Sequence, residues 1–183
     1  AGNTAVGYQA LTDLTSGGYN ATLGFYAGKK VTSGATNVLL GAGAGSSIES
    51  VNKCVIVGVD AGDALSTTAG TDGTVAVGYA ALGALTSGDG CLAIGHSALA
   101  ANSQGAYNLA IGISALSTLN DDGSGSNIAI GAYAMDGAGT LADCSSNIMI
   151  GVHTGGGSWQ TTASSHNIGI GGYALNADLV GSV

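Results

Sequence analysis

Nearly the same nine residues recur along this chain: "NTAVGYQAL" from Asn3, "CLAIGHSAL" from Cys91, "NLAIGISAL" from Asn108 and "NIAIGAYAM" from Asn127. Alignment on the glycine gives ten copies, at Gly7, Gly24, Gly41, Gly58, Gly78, Gly95, Gly112, Gly131, Gly151 and Gly171. They are separated by 17, 17, 17, 20, 17, 17, 19, 20 and 20 residues. Such a period is shorter than a helical-hairpin repeat and far longer than a heptad, and it belongs to stacked β-coils. The expected fold is therefore all-β: a parallel β-solenoid, or β-roll, of about ten coils of 17–20 residues, in a single repeat array over residues 1–183.

Each column of the repeat carries its own demand. The residue before the glycine is always a large aliphatic, from Val6 to Ile170, and the residue two earlier is nearly as apolar, from Thr4 to Ile168. Separation by two puts both columns on one face of a strand. They are expected to fill the coil. Three residues after the glycine stands alanine in nine copies and Thr154 in the other, a column small enough for two backbones to approach closely. The glycine itself is expected at positive φ or against a neighbouring layer. Four residues before it stands asparagine in seven copies, Asn3, Asn20, Asn37, Asn108, Asn127, Asn147 and Asn167, with Cys54, Thr74 and Cys91 in the rest. Asparagines in register can form an amide ladder, so this column is expected to bond each corner to the next.

Composition narrows the function. Glycine occupies 34 positions, proline none, and 8% of residues are charged, yet 45% are hydrophobic, so the chain is built for burial and not for disorder. Lys29, Lys30 and Lys53 are the only basic side chains of Lys or Arg type, and the formal net charge is -8. That balance argues against nucleic acid, which needs phosphate neutralisation. Residues 90–120 are uncharged throughout, but Asn102, Gln104, Asn108 and scattered serines and glycines interrupt them, so no membrane span or insertion is predicted. The chain opens without methionine or a secretory leader, and both ends fall inside the repeat. It is expected to be a segment of a longer fibrous protein.

The column two before the glycine lies on the opposite strand face: Ala5, Thr22, Leu39, Ile56, Ala76, Ala93, Ala110, Ala129, Met149 and Gly169. It carries no charge in ten coils, whereas a solitary solenoid should turn polar side chains to water there. This stripe is expected to pack against other copies of the chain.

The repeats "NTAVGYQAL", "CLAIGHSAL", "NLAIGISAL" and "NIAIGAYAM" resemble the shaft repeats of phage tail fibres and related bacterial tail-fibre-domain proteins. They are also similar to the "N-S-V-A-I-G" repeats in the heads of trimeric autotransporter adhesins, although longer and less regular. The resemblance implies a parallel homotrimer on a virion or cell surface, extracellular, that forms or presents a binding tip. The function so implied is a structural, non-enzymatic fibre segment serving as shaft or host-attachment element. Its rival is a self-assembling extracellular filament in which segments stack end to end.

Candidate chemistry is sparse. "GFYAGKK", Gly24 to Lys30, has one residue too few for a phosphate loop and places Lys30 where serine or threonine should hold magnesium. Cys54 and Cys91 share a column two coils apart, about 10 Å, beyond the reach of a disulfide. With Cys144 in a turn and no Cys-x-x-Cys, neither zinc nor a disulfide is expected. "NDDGSGSN", residues 120–127, lacks the alternating acids and terminal glutamate of a calcium loop. His96, His153 and His166 fall in different columns. No catalytic residue, metal or cofactor is predicted. The one departure from the repeat is "VHTGGGSWQTTASSH", Val152 to His166, with the only tryptophan. Here Trp159 and Gln160, with His153 at the start of the segment, form a candidate site for a host cell-surface glycan or protein. A tryptophan can stack on a sugar ring while Gln160 bonds its hydroxyls. The alternative is that Trp159 covers the flank of its own trimer.

Overall fold

The computed structural model describes residues 2–65, 71–119, 125–137, 144–157 and 165–176. Its strands are the three residues that precede each repeat glycine: β1 (Thr4–Val6), β2 (Ala21–Leu23), β3 (Val38–Leu40), β4 (Val55–Val57), β5 (Val75–Val77), β6 (Leu92–Ile94), β7 (Leu109–Ile111), β8 (Ile128–Ile130), β9 (Ile148–Ile150) and β10 (Ile168–Ile170). They form one parallel sheet in sequence order, β1 to β10. Each strand pairs with the next in unshifted repeat register, as in Leu109↔Ile128, Ala110↔Ala129 and Ile111↔Ile130. The chain is an all-β parallel solenoid, and among the described residues no helix occurs.

The strands end where they do because the glycine after each cannot be extended like its neighbours. Nine of the repeat glycines have φ between 133° and 147°, and Gly171 has 115°. A Cβ on Gly112 would stand 2.5 Å from both the carbonyl carbon and the oxygen of Gly131 in the next coil. Positive φ and backbone contact therefore act together at this position, and either alone would exclude most side chains.

The interior is filled differently from the sequence expectation. In β2 to β10 the middle residue is buried, while the flanking residues are half-buried or exposed. Leu39, Ile56 and Met149 are fully buried, whereas Leu23 is 53% exposed and Ile170 is 70% exposed. The two aliphatic columns thus face out and the middle column faces in. The expected filling of the coil and the expected intermolecular stripe change places. The physical reason is space: Leu65, Leu82, Leu85, Leu99, Leu116 and Leu119 also point into the core from the far walls of the coil. With those side chains inside, one inward residue per strand is all the interior accepts.

A volume trade governs that inward residue. Its partner stands four residues after the glycine, giving the pairs Ala5 with Leu11, Thr22 with Gly28, Leu39 with Gly45, Ile56 with Gly62 and Ala76 with Leu82. The series continues with Ala93 and Leu99, Ala110 and Leu116, Ala129 and Met135, Met149 and Gly155, and Gly169 and Leu175. Wherever the strand residue is alanine or glycine the partner is leucine or methionine, and wherever it is larger the partner is glycine. A Cβ on Gly62 would meet Ile56 Cδ1 at 3.1 Å, and one on Gly45 would meet Ile48 Cδ1 at 2.5 Å and Leu39 Cδ2 at 3.2 Å. In nine coils a side chain of leucine, isoleucine or methionine size comes from one wall or the other, and in the second coil, where Thr22 faces Gly28, Leu11 and Leu39 of the adjacent coils reach into the space.

Candidate functional site, the outer face of the sheet

The asparagine column runs up one corner of the coil. Asn20 donates its backbone N–H to Asn3 Oδ1 at 2.8 Å, and its side-chain amide to the same oxygen at 3.2 Å and to the Gly34 carbonyl at 2.8 Å. Asn37 repeats the pattern on Asn20 and on the Val51 carbonyl. Asn127, Asn147 and Asn167 continue it along the second half of the chain. Cys54 and Cys91 take the same place with a weaker donor: their thiols reach the carbonyls of Thr71 at 3.3 Å and Gly105 at 3.1 Å. In the Cys91 coil, Asn102 adds the missing amide bond by donating to the Gly105 carbonyl at 3.0 Å. Burial pushes the Cys54 thiol up to about 11 and the Cys91 thiol in the same direction, so both stay protonated donors at neutral pH. None of the three cysteines forms a disulfide, and among the described residues no cluster of His, Cys, Asp and Glu could hold a metal. No helix among them is long and apolar enough to cross a membrane.

Of the predicted ligand residues, Trp159 and Gln160 lie outside the described residues, as do residues 120–124 of the acidic segment. His153 is described, and it is not isolated. Its imidazole stacks between Tyr133 and Tyr173, with ring centroids 4.8 and 5.2 Å away and interplanar angles of 5° and 19°. Both faces of the His153 ring are therefore taken by the neighbouring tyrosines, and Tyr173 itself is 64% exposed. Asp136 stands near His153, and partial burial raises its carboxyl above the usual value. Lys29 of the false phosphate loop lies over the Tyr26 ring, 4.4 Å from its centroid, a cation–π contact.

The larger feature is the outer face of the sheet. The two outward columns hold Thr4, Ala21 and eighteen larger aliphatics, all turned away from the core. The column just after the glycine borders them with further exposed apolar side chains: Tyr8, Phe25, Val59, Tyr79, Ile113 and Val152. Tyr8 and Phe25 stack at 5.4 Å, as do Tyr79 and His96 at 5.1 Å. Across the thirty positions of these three columns, His96 is the one side chain other than tyrosine that ionises. The sheet is flat in composition and free of the lysine, proline and glutamate that keep exposed β-surfaces apart.

No family model matches the chain, and no curated protein or solved structure matches it.

Proposed function

We propose that this chain is a structural, non-enzymatic segment of an extracellular trimeric fibre, of the phage tail-fibre or adhesin kind, and that the outer face of its sheet is where the three copies meet. The observation that carries this reading is the uncharged aliphatic face. Ten strands at ~4.8 Å spacing make it about 45 Å long, and the span of its three columns makes it about 13 Å wide. It therefore offers roughly 600 Å² per chain, at the upper limit of what a monomer leaves in water. Three such faces bury roughly 1,800 Å² in all, or about 600 Å² for each pair of neighbours, so the turns that flank them must add area to reach the size of a stable pairwise interface. The resemblance to fibre-shaft repeats favours three parallel copies over two, and threefold symmetry lets one face per chain converge while the polar turns stay outside. A rod with its backbone bonds running from coil to coil suits a shaft, because load along the axis is shared by every column.

Light scattering after chromatography tests the reading, with a mass of three chains expected at micromolar concentration. A stable monomer overturns it, and a dimer keeps the face but refutes the symmetry. Two aspartates, one residue apart, separate the faces: Ile111→Asp should leave a folded protomer that no longer assembles, whereas Ala110→Asp, which buries a charge without a partner, should unfold the neighbouring coils.

A further inference from the structure

We infer that Lys53 of one copy pairs with Asp60 of the next in the assembled fibre, and that this ion pair holds the copies parallel and level. The inference rests on the proposed assembly and names the contact that orients it. Beyond each border of the outer face runs one further column, five residues before the glycine on one side and two residues after it on the other. The first is exposed in all ten coils, and the second is exposed or half-buried. With the three columns of the face they make fifty positions, and among those Lys53 and Asp60 are the only ones held by lysine, arginine, aspartate or glutamate. The two are opposite in sign, on opposite sides of the face, and in the same coil, that of β4. Both are exposed. Seven residues of nearly extended chain hold them roughly 20 Å apart, so they cannot pair within one copy. Asp72, in the adjoining coil, is taken up by Asn52, whose backbone N–H it accepts at 2.7 Å.

Rotation about an axis along the rod carries each face onto the next so that unlike borders meet. The Lys53 side of every copy comes against the Asp60 side of its neighbour, and closure of the ring allows no stagger between them. The two charges then stand at one level across the seam. An antiparallel pair of faces brings like borders together instead, and Lys53 then meets only its own column, which holds no carboxylate. The unlike borders also suit one another in size. Tyr8, Phe25 and Tyr79 stand in coils whose opposite border is Thr4, Ala21 and Val75, whereas none of the five coils with leucine or isoleucine at that border carries tyrosine or phenylalanine after the glycine. Residues four apart on one strand are about 13 Å from each other, so this match operates between copies. An exposed ion pair adds little affinity, and its effect is on orientation, because any other arrangement leaves each charge against an uncharged column.

Zero-length coupling with a carbodiimide tests the contact on the unaltered chain. The reagent joins the Lys53 amine to the Asp60 carboxylate as an amide, taking up the water released and becoming a urea. The expected result is covalent dimers and trimers on a denaturing gel, with a Lys53–Asp60 cross-linked peptide in the digest that is lost in Asp60→Asn. Charge reversal at low salt gives a second reading: Lys53→Glu or Asp60→Lys alone should weaken the association of three chains by roughly tenfold, and the two together should restore it to within about threefold. A trimer in which Lys53 couples to no other copy, or to a carboxylate other than Asp60, overturns the pairing and leaves the assembly standing, as does a doubly reversed chain that associates no better than the single variants. A chain that is monomeric under the coupling conditions overturns the assembly itself.

Discussion

Two columns of this solenoid use glycine, and they use it for opposite reasons. At the strand end, the glycine meets backbone: a Cβ on Gly131 would stand 2.6 Å from the Gly151 carbonyl carbon. Four residues later, Gly28, Gly45, Gly62 and Gly155 also have positive φ, between 56° and 65°, but a Cβ on the first three would meet the ends of leucine, isoleucine and valine side chains. The first column is glycine in all ten coils. The second is leucine or methionine in the other six, where Leu11, Leu82, Leu99, Leu116, Met135 and Leu175 take φ between 51° and 57°. Left-handed backbone by itself is therefore tolerated in this fold at a modest cost per residue. What demands glycine at the strand end is the combination of a φ of 133° to 147° in nine coils, far from the left-handed well that leucine takes here, and a backbone neighbour that cannot move.

The most damaging way to test this contrast is Gly112→Val. A β-branched side chain there must displace the Gly131 peptide and adopt a φ of 137°, so a loss of about 4 kcal/mol or more, with unfolding of adjacent coils, is expected. No second substitution should rescue it, because no side chain causes the clash. Ser114→Ala, two residues on, should change stability by less than about 0.5 kcal/mol. Equal melting temperatures for the two variants would remove the backbone argument.

In the second column the effect should be large but reversible. Leu116→Gly opens a cavity beside Ala110 and should cost about 2 to 5 kcal/mol. Adding Ala110→Leu restores the volume from the strand side, as Leu39 and Gly45 already do in the third coil, and should recover most of the loss. The double-mutant cycle is the readout: a coupling below about 0.5 kcal/mol would mean that the two positions do not share one space. The converse change, Gly45→Leu, overpacks against Ile48 and Leu39 and should cost about 1 to 3 kcal/mol, relieved by Leu39→Ala. Failure of that rescue, with rescue intact at Leu116, would show that the two kinds of coil differ in backbone as well as in filling.

The same contrast explains what the sequence discloses and what it withholds. The ten strands stand on the three residues before each glycine because a backbone requirement leaves an invariant residue behind, and invariance is visible in a repeat. The asparagine corner, present in seven of ten coils, is legible for a related reason: where asparagines follow one another, each Oδ1 serves the amide of the next coil, so a change in one copy is felt in two. The inward face was harder to read. Size suggests that Ile111 and Ile130 belong inside and Ala110 and Ala129 outside, yet the side-chain count inside one coil also includes Leu116 and Leu119 from the other walls. Strand alternation alone cannot reveal them. The signal was present in another form, as the reciprocal exchange between Ala76 and Leu82 on one hand and Ile56 and Gly62 on the other, six residues apart in both coils. Reading it requires comparison of coils in pairs of columns, whereas each column alone looks merely variable. The site residues Trp159 and Gln160 fall in the segment that departs from the repeat, where neither invariance nor exchange offers guidance.

A smaller effect, and one of opposite sign, lies where neither backbone nor volume is challenged. Thr74 occupies the asparagine column between Cys54 and Cys91, is fully buried, and has a hydroxyl with no hydrogen-bond partner. Its backbone carbonyl accepts from Val55 at 3.0 Å, so the main chain at this corner is bonded and the unmet demand belongs to the side chain. Valine has the same shape and the same β-branching without the oxygen, and a buried hydroxyl left unpaired costs about 1 to 3 kcal/mol relative to water. Thr74→Val should therefore raise stability, by up to about 1 kcal/mol once imperfect packing of the new methyl is allowed for. In a chain where the strand-end glycine admits nothing else and the inner glycine admits leucine only by exchange, this corner should accept the substitution with no partner change at all. A fall in melting temperature for Thr74→Val would mean that the hydroxyl is satisfied in solution, by a water held between the two thiols, and that the ladder runs unbroken through its three coils without asparagine.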